Sequence, residues 1–241
     1  MKQIIHDKDA YGKGLMAYQE GKKNAKFTVK SNIAETERWD ISVFFRNESQ
    51  MPEAETIALN HCKGKVLDAG AGAGSHSLWL KNKGFEVTSI DISEGAVEVM
   101  RKRNVTDARL EDFFLLSDTQ KYDTILMLMN GIGIVQSIDR FPLFFSKAKQ
   151  LLNTGGRIIL DSSNIIYLYE DEDGGATINI NGDYYGEIEY QINYGKIIGE
   201  PFKWIFIDFE TLKDMAEKEG FSCNKLYEDD HYLYVAELEL L

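Results

Sequence analysis

Three carboxylates and one amide stand at the ends of apolar runs: Asp68, Asp91, Asp112 and Asn130. The first leads into three glycines at alternate positions, Gly70, Gly72 and Gly74, within KVLDAGAGAGSHSLWLKNKGFEVTSIDIS over 65–93. Glycine lacks a Cβ, so such a loop takes unusual dihedrals and lets a ligand approach its backbone. A helix starting directly behind the loop aims unpaired amides and a partial positive charge at an anionic group. Asp91, at the tip of the following strand, is placed to accept hydrogen bonds from a ribose diol. The chemistry is the holding of a nucleoside-containing cofactor.

These residues need a sheet to position them. Val66-Leu67 runs into Asp68, Ser75 to Asn82 reads as a helix closed by Gly84, and Phe85 to Ile90 leads to Asp91. Strand, loop, helix and strand make one right-handed crossover of a parallel sheet. Ser93 caps a helix that buries Ala96, Val97 and Met100. Ala108-Arg109-Leu110 ends in Glu111-Asp112-Phe113, where an acid followed by an aromatic suits an adenine amino group and ring face. Tyr122 to Met129 is apolar enough to be buried on both faces and ends in Asn130-Gly131-Ile132-Gly133. Phe141, Phe144, Phe145, Ala148, Leu151 and Leu152 follow helical spacing, and Arg157 to Leu160 is a fifth strand ending in Asp161-Ser162-Ser163-Asn164. The fold class is α/β, a doubly wound sheet with its polar residues at the carboxyl edge.

Flanking segments complete the expected organisation. Residues 1–50 read as an N-terminal helical lid or substrate segment. Asp9 caps a helix with Tyr11, Leu15, Met16 and Tyr18, a basic patch spans Lys22 to Lys30, and an aromatic stretch carries Trp39, Phe44 and Phe45 before Arg46. Pro52 opens a helix through His61. Residues 165–207 change to alternation, with turn signals at Asn181-Gly182 and Tyr194-Gly195, and read as an inserted antiparallel β subdomain. Asp208 caps a last helix stopped by Gly220, and Phe221–Tyr227 with His231–Leu240 form a closing hairpin. The cofactor core is therefore 51–164 plus 208–241.

The kind of cofactor follows from the spacing. Dinucleotide folds use G-x-G-x-x-G, and the sixth position here is Ser75. Asp68, two residues before the first glycine, suits a ligand with an ammonium group and no pyrophosphate. The stretch resembles the first motif, D-x-G-x-G-x-G, of class I S-adenosylmethionine-dependent methyltransferases. The resemblance extends along most of the chain. It is carried by Asp9-Ala-Tyr-Gly12 with Tyr18 and Gly21, Phe45-Arg46, VLDAGAGAGSHSLWL, SIDISEGAVEVMRKRNVTDARLED, YDTILMLMNGIG, LLNTGGRIILDSS, YGKIIGEPFKWIFIDFETL and YLYVAEL. Ala69-Gly70-Ala71 stands where the family has Leu-Gly-Cys, which keeps small residues against the ligand.

What the resemblance implies is specific. The sheet would be seven-stranded and mostly parallel with an antiparallel last strand. Gly70 and Gly72, with the loop residues Ala69 and Ala71, would meet the methionine part of S-adenosylmethionine, and Asp68 would act towards its amino group. Asp91 would hold the ribose hydroxyls, with Ile92 against the adenine. Glu111, Asp112 and Phe113 would receive the adenine, and Met129 and Asn130 would sit near the sulfonium. Tyr11, Phe44, Phe45, Arg46, Asn164, Tyr167 and Trp204 are candidates for the acceptor side, beside Asp161 and Lys203. No catalytic base is assigned. His76, in the first turn after the glycine loop, is given a structural or cofactor-contact role.

Composition bounds the acceptor. Lys plus Arg total 27 against 39 Asp plus Glu, a net charge of −12, which disfavours nucleic acid and anionic membrane. Asn130 is followed by Gly-Ile-Gly, without the N-P-P-[YF] signature of amino-methylating nucleic-acid enzymes. Cys62 and Cys223 form no C-x-x-C pair, His6, His61 and His231 are scattered without metal-ligand spacing, and no run is long enough to span a bilayer. The expectation is a cytoplasmic, metal-free enzyme transferring methyl to a small molecule. The alternatives are a nicotinamide-dependent oxidoreductase, or a binding module that holds S-adenosylmethionine without turnover.

Overall fold

Asp9 starts the first helix, α1 (Ala10–Gln19), by accepting the Gly12 amide at 2.8 Å. The computed structural model describes residues 7–169, 175 and 182–241. His6, residues 170–174 and 176–180 of the expected β insertion, and the Asn181 half of its first turn signal lie outside the described residues. The N-terminal segment is helical only through Gln19. Lys26–Ser31 is a strand, β1, and pairs antiparallel with β2 (Glu37–Asp40). This corrects the basic patch of the sequence reading: KFTVKS alternates, and Phe27 and Val29 are buried while Lys26 and Lys30 face water. Ile41–Phe45, the heart of the aromatic stretch, is a short 3-10 turn.

The core follows in sequence order. α2 (Glu53–Asn60) leads to β3 (Lys65–Ala69), α3 (Ser75–Asn82), β4 (Glu86–Asp91), α4 (Glu94–Lys102) and β5 (Ala108–Leu110). β6 (Tyr122–Met127), α5 (Phe141–Leu151) and β7 (Leu152–Ser163) complete the first pass. Ser93 caps α4 through the Ala96 amide, and Phe141, Phe144, Phe145, Ala148 and Leu151 are the buried face of α5, as their spacing predicts. β7 begins five residues before Arg157, across a register irregularity with β6.

Residues after β7 build a second sheet from β8 (Glu187–Tyr194), the two-residue β9 (Ile197–Ile198) and β10 (Phe202–Ile205). Asp208 caps α6 (Phe209–Lys218), and β11 (Phe221–Glu228) and β12 (Leu233–Leu240) end the chain. The large sheet has the order β11-β12-β7-β6-β3-β4-β5. β3, β4, β5, β6 and β7 pair in parallel, and β12 runs antiparallel to β7 and β11. The order reverses between β3 and β6, and a crevice opens beyond the carboxyl ends of strands at such a switch point.

The small sheet has the order β10-β8-β1-β2, with β9 beside β8. Two segments more than 150 residues apart in sequence thus share one sheet, which roofs the crevice. Its alternation separates two faces. Phe27, Val29, Trp39, Tyr190, Ile192, Phe202 and Trp204 fall on the inner one by register. Lys26, Lys30, Arg38, Glu189 and Lys203 are exposed on the outer.

Candidate active site

The glycine loop meets the geometry its residues require. Gly70, Gly72 and Gly74 have φ of 80°, 56° and 79°, the left-handed region that side chains resist. The Gly70 and Ala71 amides donate to the Ile90 carbonyl, each at 3.0 Å, and fold the loop over the end of β4. A Cβ on Gly70 would meet nothing within 4 Å, so the loop's outer surface faces open space. Tyr11 covers the next position, because a Cβ on Gly72 would lie 2.7 Å from its hydroxyl. Burial, with Asp91 and Asp9 beside it, keeps that hydroxyl protonated well above its usual range.

Asp91 takes the Gly72 amide on one oxygen at 2.9 Å and the Ser93 amide on the other at 2.8 Å. Each oxygen keeps a second acceptor site. Burial raises the carboxyl to about 6, against the lowering effect of those amides. Asp68 lies behind the loop, buried, and accepts from the Ser77 hydroxyl, which in turn meets Ser89 Oγ at 2.8 Å. Burial raises its carboxyl too.

α1 is anchored to this edge by the same residue that caps it. Asp9, 3% exposed, accepts from Ser93 Oγ at 2.7 Å and from the Gly95 amide at 2.9 Å, in addition to Gly12. The helices cross so closely that a Cβ on Gly95 would lie 2.7 Å from the Gly12 Cα. The Asp9-Ala-Tyr-Gly12 motif is therefore a joint that sets Tyr11 over the loop.

β6 ends in a turn that runs against backbone preference. Met129 and Asn130 have φ of 60° and 55°, costing roughly 1–2 kcal/mol each for side-chain-bearing residues. Asp161, at the tip of β7, brackets the turn by accepting the Met129 amide at 3.1 Å and the Asn130 amide at 2.7 Å. Burial raises the Asp161 carboxyl to about 7. Asn130 Nδ2 donates to the Ile205 carbonyl at 3.2 Å, and Ser162 Oγ accepts the Ile207 amide at 3.0 Å, tying the roof to the core.

One cavity of about 840 Å³ joins these parts. It is lined by Gly70, Ala71, Gly72, Asp91, Ile92, Glu111, Asp112, Phe113, Met129 and Asn130 from the core edge. Of the expected cofactor residues, Asp68 and Ala69 stand behind this surface. Asp112 caps the turn at Phe113–Leu115 by accepting the Phe114 amide at 2.9 Å. Of the expected acceptor residues, Tyr11, Phe44 and Trp204 line the cavity.

Four others do not. Phe45 packs against Tyr18, with ring centroids 4.5 Å apart, beneath the Arg103 guanidinium. Arg46 is ion-paired to Glu55. Asn164 caps the Ile166 amide and accepts from Tyr185, and Tyr167 stacks on Tyr232 over a separate, smaller crevice. Lys203 points outward, 3.9 Å from Asp183. Sequence reasoning had no handle on the roof residues that do line the cavity, Tyr190, Ile192 and Phe202, or on the Gly199–Pro201 loop. Their alternation was visible, but the face turned inward depends on pairing with β1.

Comparison with known proteins gives this geometry its family. A family model described as a methyltransferase domain matches residues 60–218, about two thirds of the chain. The chain belongs to that methyltransferase family. A crystal structure of an S-adenosylmethionine-dependent methyltransferase from Bacteroides fragilis, in complex with S-adenosylhomocysteine, superposes with a TM-score of 0.93. The two sequences are 41% identical, and the match covers 100% of this chain and 98% of that one. An uncharacterized methyltransferase of Staphylococcus carnosus is 26% identical over 189 residues, 75% of this chain and 84% of its own. The CcbJ methyltransferase of Streptomyces caelestis shares the fold, with a TM-score of 0.61 at 16% identity, over 81% of this chain and 99% of that one. The enzyme is a class I methyltransferase and its cofactor is S-adenosylmethionine, so the nicotinamide alternative falls. The residues fit such a cofactor: a glycine cradle facing open space, a buried carboxylate with spare acceptor sites, and apolar walls at Ile92 and Phe113.

Proposed function

We propose that this methyltransferase acts on a small, flat acceptor that carries no anionic group, held between the core edge and the aromatic roof. The observation that carries this reading is the cavity wall. Trp39, Tyr190, Phe202 and Trp204 form a chain of tilted and edge-to-face rings with centroids 5.8–6.1 Å apart, and Tyr11 and Phe44, an edge-to-face pair of their own at 5.4 Å, line the same cavity. Lys8 and His76 are the cavity residues able to carry positive charge, and both face carboxylates, Glu200 at 2.6 Å and Glu55 at 3.0 Å. Lys8 is engaged by Glu200 and His76 stands behind the glycine loop, at the cofactor's end, so a phosphorylated or polyanionic acceptor would find no cation on its own side of the cavity. A net charge of −12 supports the same exclusion for nucleic acid.

In this reading Gly70, Ala71 and Gly72 admit the methionine part of the cofactor, with Asp68 acting from behind. Asp91 accepts the ribose hydroxyls, Ile92 flanks the adenine, and Asp112 beside Phe113 receives its amino group. When bound, S-adenosylmethionine supplies a methyl group already activated on a sulfonium. The chain's own task is then to align the acceptor with that methyl and to exclude water. In this reading the bracketed Met129-Asn130 turn and Trp204, which both line the cavity, flank the transfer position. Aromatic faces hold a cationic centre without locking it in place.

The test is S-adenosylhomocysteine formation on a panel of acceptors. Neutral and amine-bearing aromatic compounds are expected to turn over, while their phosphorylated or carboxylated counterparts and transfer or ribosomal RNA are not. Turnover confined to RNA or to the anionic compounds would overturn the reading.

A further inference from the structure

Under the cofactor end of the cavity lies a buried charge cluster that the transfer reaction does not use. Glu55, from α2, is shared by two basic groups: Arg46 binds Oε1, and His76 Nε2 lies 3.0 Å from Oε2. His76 is 7% exposed and stands in the first turn of α3, directly behind the glycine loop, and it lines the cavity. Its Nδ1 makes no hydrogen bond to any described residue, yet it is not one of the sealed polar atoms, which include Arg46 Nε and Asn130 Oδ1. Nδ1 therefore reaches accessible space, and the space beside it is the cavity.

We propose that protonated His76, oriented by Glu55, receives the α-carboxylate of the cofactor's methionine part on its Nδ1–H. The inference rests on the cofactor alone and is independent of the acceptor. Two cations on one carboxylate leave the Arg46–Glu55–His76 group with a surplus positive charge. Asp68 of β3 and Asp161 of β7 also face His76 from the sheet. Burial lowers the imidazole's proton affinity. The hydrogen bond to Glu55 and the fields of Asp68, Glu55 and Asp161 outweigh it and hold the ring charged above its usual range.

The experiment is calorimetric titration of wild type and His76→Gln with two ligands: S-adenosylhomocysteine, and its decarboxylated counterpart, which keeps every other group. Near neutral pH the variant should lose about 10- to 100-fold in affinity for the first and less than about twofold for the second. Wild-type affinity for S-adenosylhomocysteine should also weaken at alkaline pH as the imidazole loses its proton, a step absent from the decarboxylated ligand and from the variant. Glu55→Gln should move that step to lower pH while leaving the decarboxylated ligand's affinity intact. Equal losses for both ligands would mean that His76 only supports the fold, and unchanged affinity for S-adenosylhomocysteine would remove it from the site. Either result overturns the proposal.

Discussion

Replacing Asp161 by asparagine tests how the β6 turn is held. The carboxylate accepts two adjacent amides from residues in the left-handed region. An asparagine oxygen can keep one of them, and its NH₂ then faces the other donor, a loss of about 1–3 kcal/mol. The pH dependence makes the test sharper. Burial raises the Asp161 carboxyl from about 3.8 to about 7, so across that window the folded protein binds a proton that the unfolded chain releases. Asp161 therefore lowers stability as pH rises from near 4 towards 7, the reverse of a carboxylate held in a salt bridge. Working range is set by the isoelectric point of about 4.9, which rules out measurements near pH 5. Between about pH 5.5 and about pH 8.5 the linkage amounts to about 2 kcal/mol, and asparagine abolishes it. Wild type should thus exceed Asp161→Asn by more at pH 5.5 than at pH 8.5, with the gap closing by about 2 kcal/mol in urea unfolding curves. A gap that stays constant or widens with pH would refute the raised proton affinity, and no loss at either pH would refute the bracket.

Other substitutions probe separate parts. Asp91→Ala removes the acceptor proposed for the ribose and releases the Gly72 and Ser93 amides, and should weaken S-adenosylhomocysteine binding by about 2–4 kcal/mol in calorimetry. Gly133→Ala places a Cβ 2.0 Å from Trp204 Nε1, so the indole must leave its seat. Cofactor affinity should persist while acceptor KM rises about tenfold or more, and an unchanged KM would take Trp204 out of the acceptor wall. Asp9→Ala loses the α1 cap together with the Ser93 and Gly95 contacts, and should cost about 2–4 kcal/mol in chemical unfolding.

The core of this fold was legible because its signals are local. Glycine loop, caps at Asp9, Ser93 and Asp208, and the α5 stripe each fall within a few residues, where helix and strand periods act directly. The roof was half legible. Alternation after residue 186 announced antiparallel strands, but KFTVKS shows only two apolar positions, and its main partner lies more than 150 residues on. Arg46 and Phe45 were misjudged for the same reason. An aromatic beside a base looks like a ligand surface until Glu55 and Tyr18 are seen to occupy them. Asp161 was noticed as a strand-end acid, yet its role depends on the β6 turn lying alongside, which no spacing in the chain encodes.

The interwoven roof also has a consequence for the order in which the molecule is made. The glycine loop and Asp91 can form as soon as β3 and β4 have left the ribosome, but β1 must wait for β8 before both its edges are satisfied. Through nearly two thirds of synthesis it is a strand with one open side, the kind of edge that recruits other chains. Lysines at 26 and 30 flank its two buried residues, and charge of this sort discourages such pairing. The aromatic side of the cavity is thus sealed late, by long-range closure, after the glycine-loop crevice beneath it has taken shape.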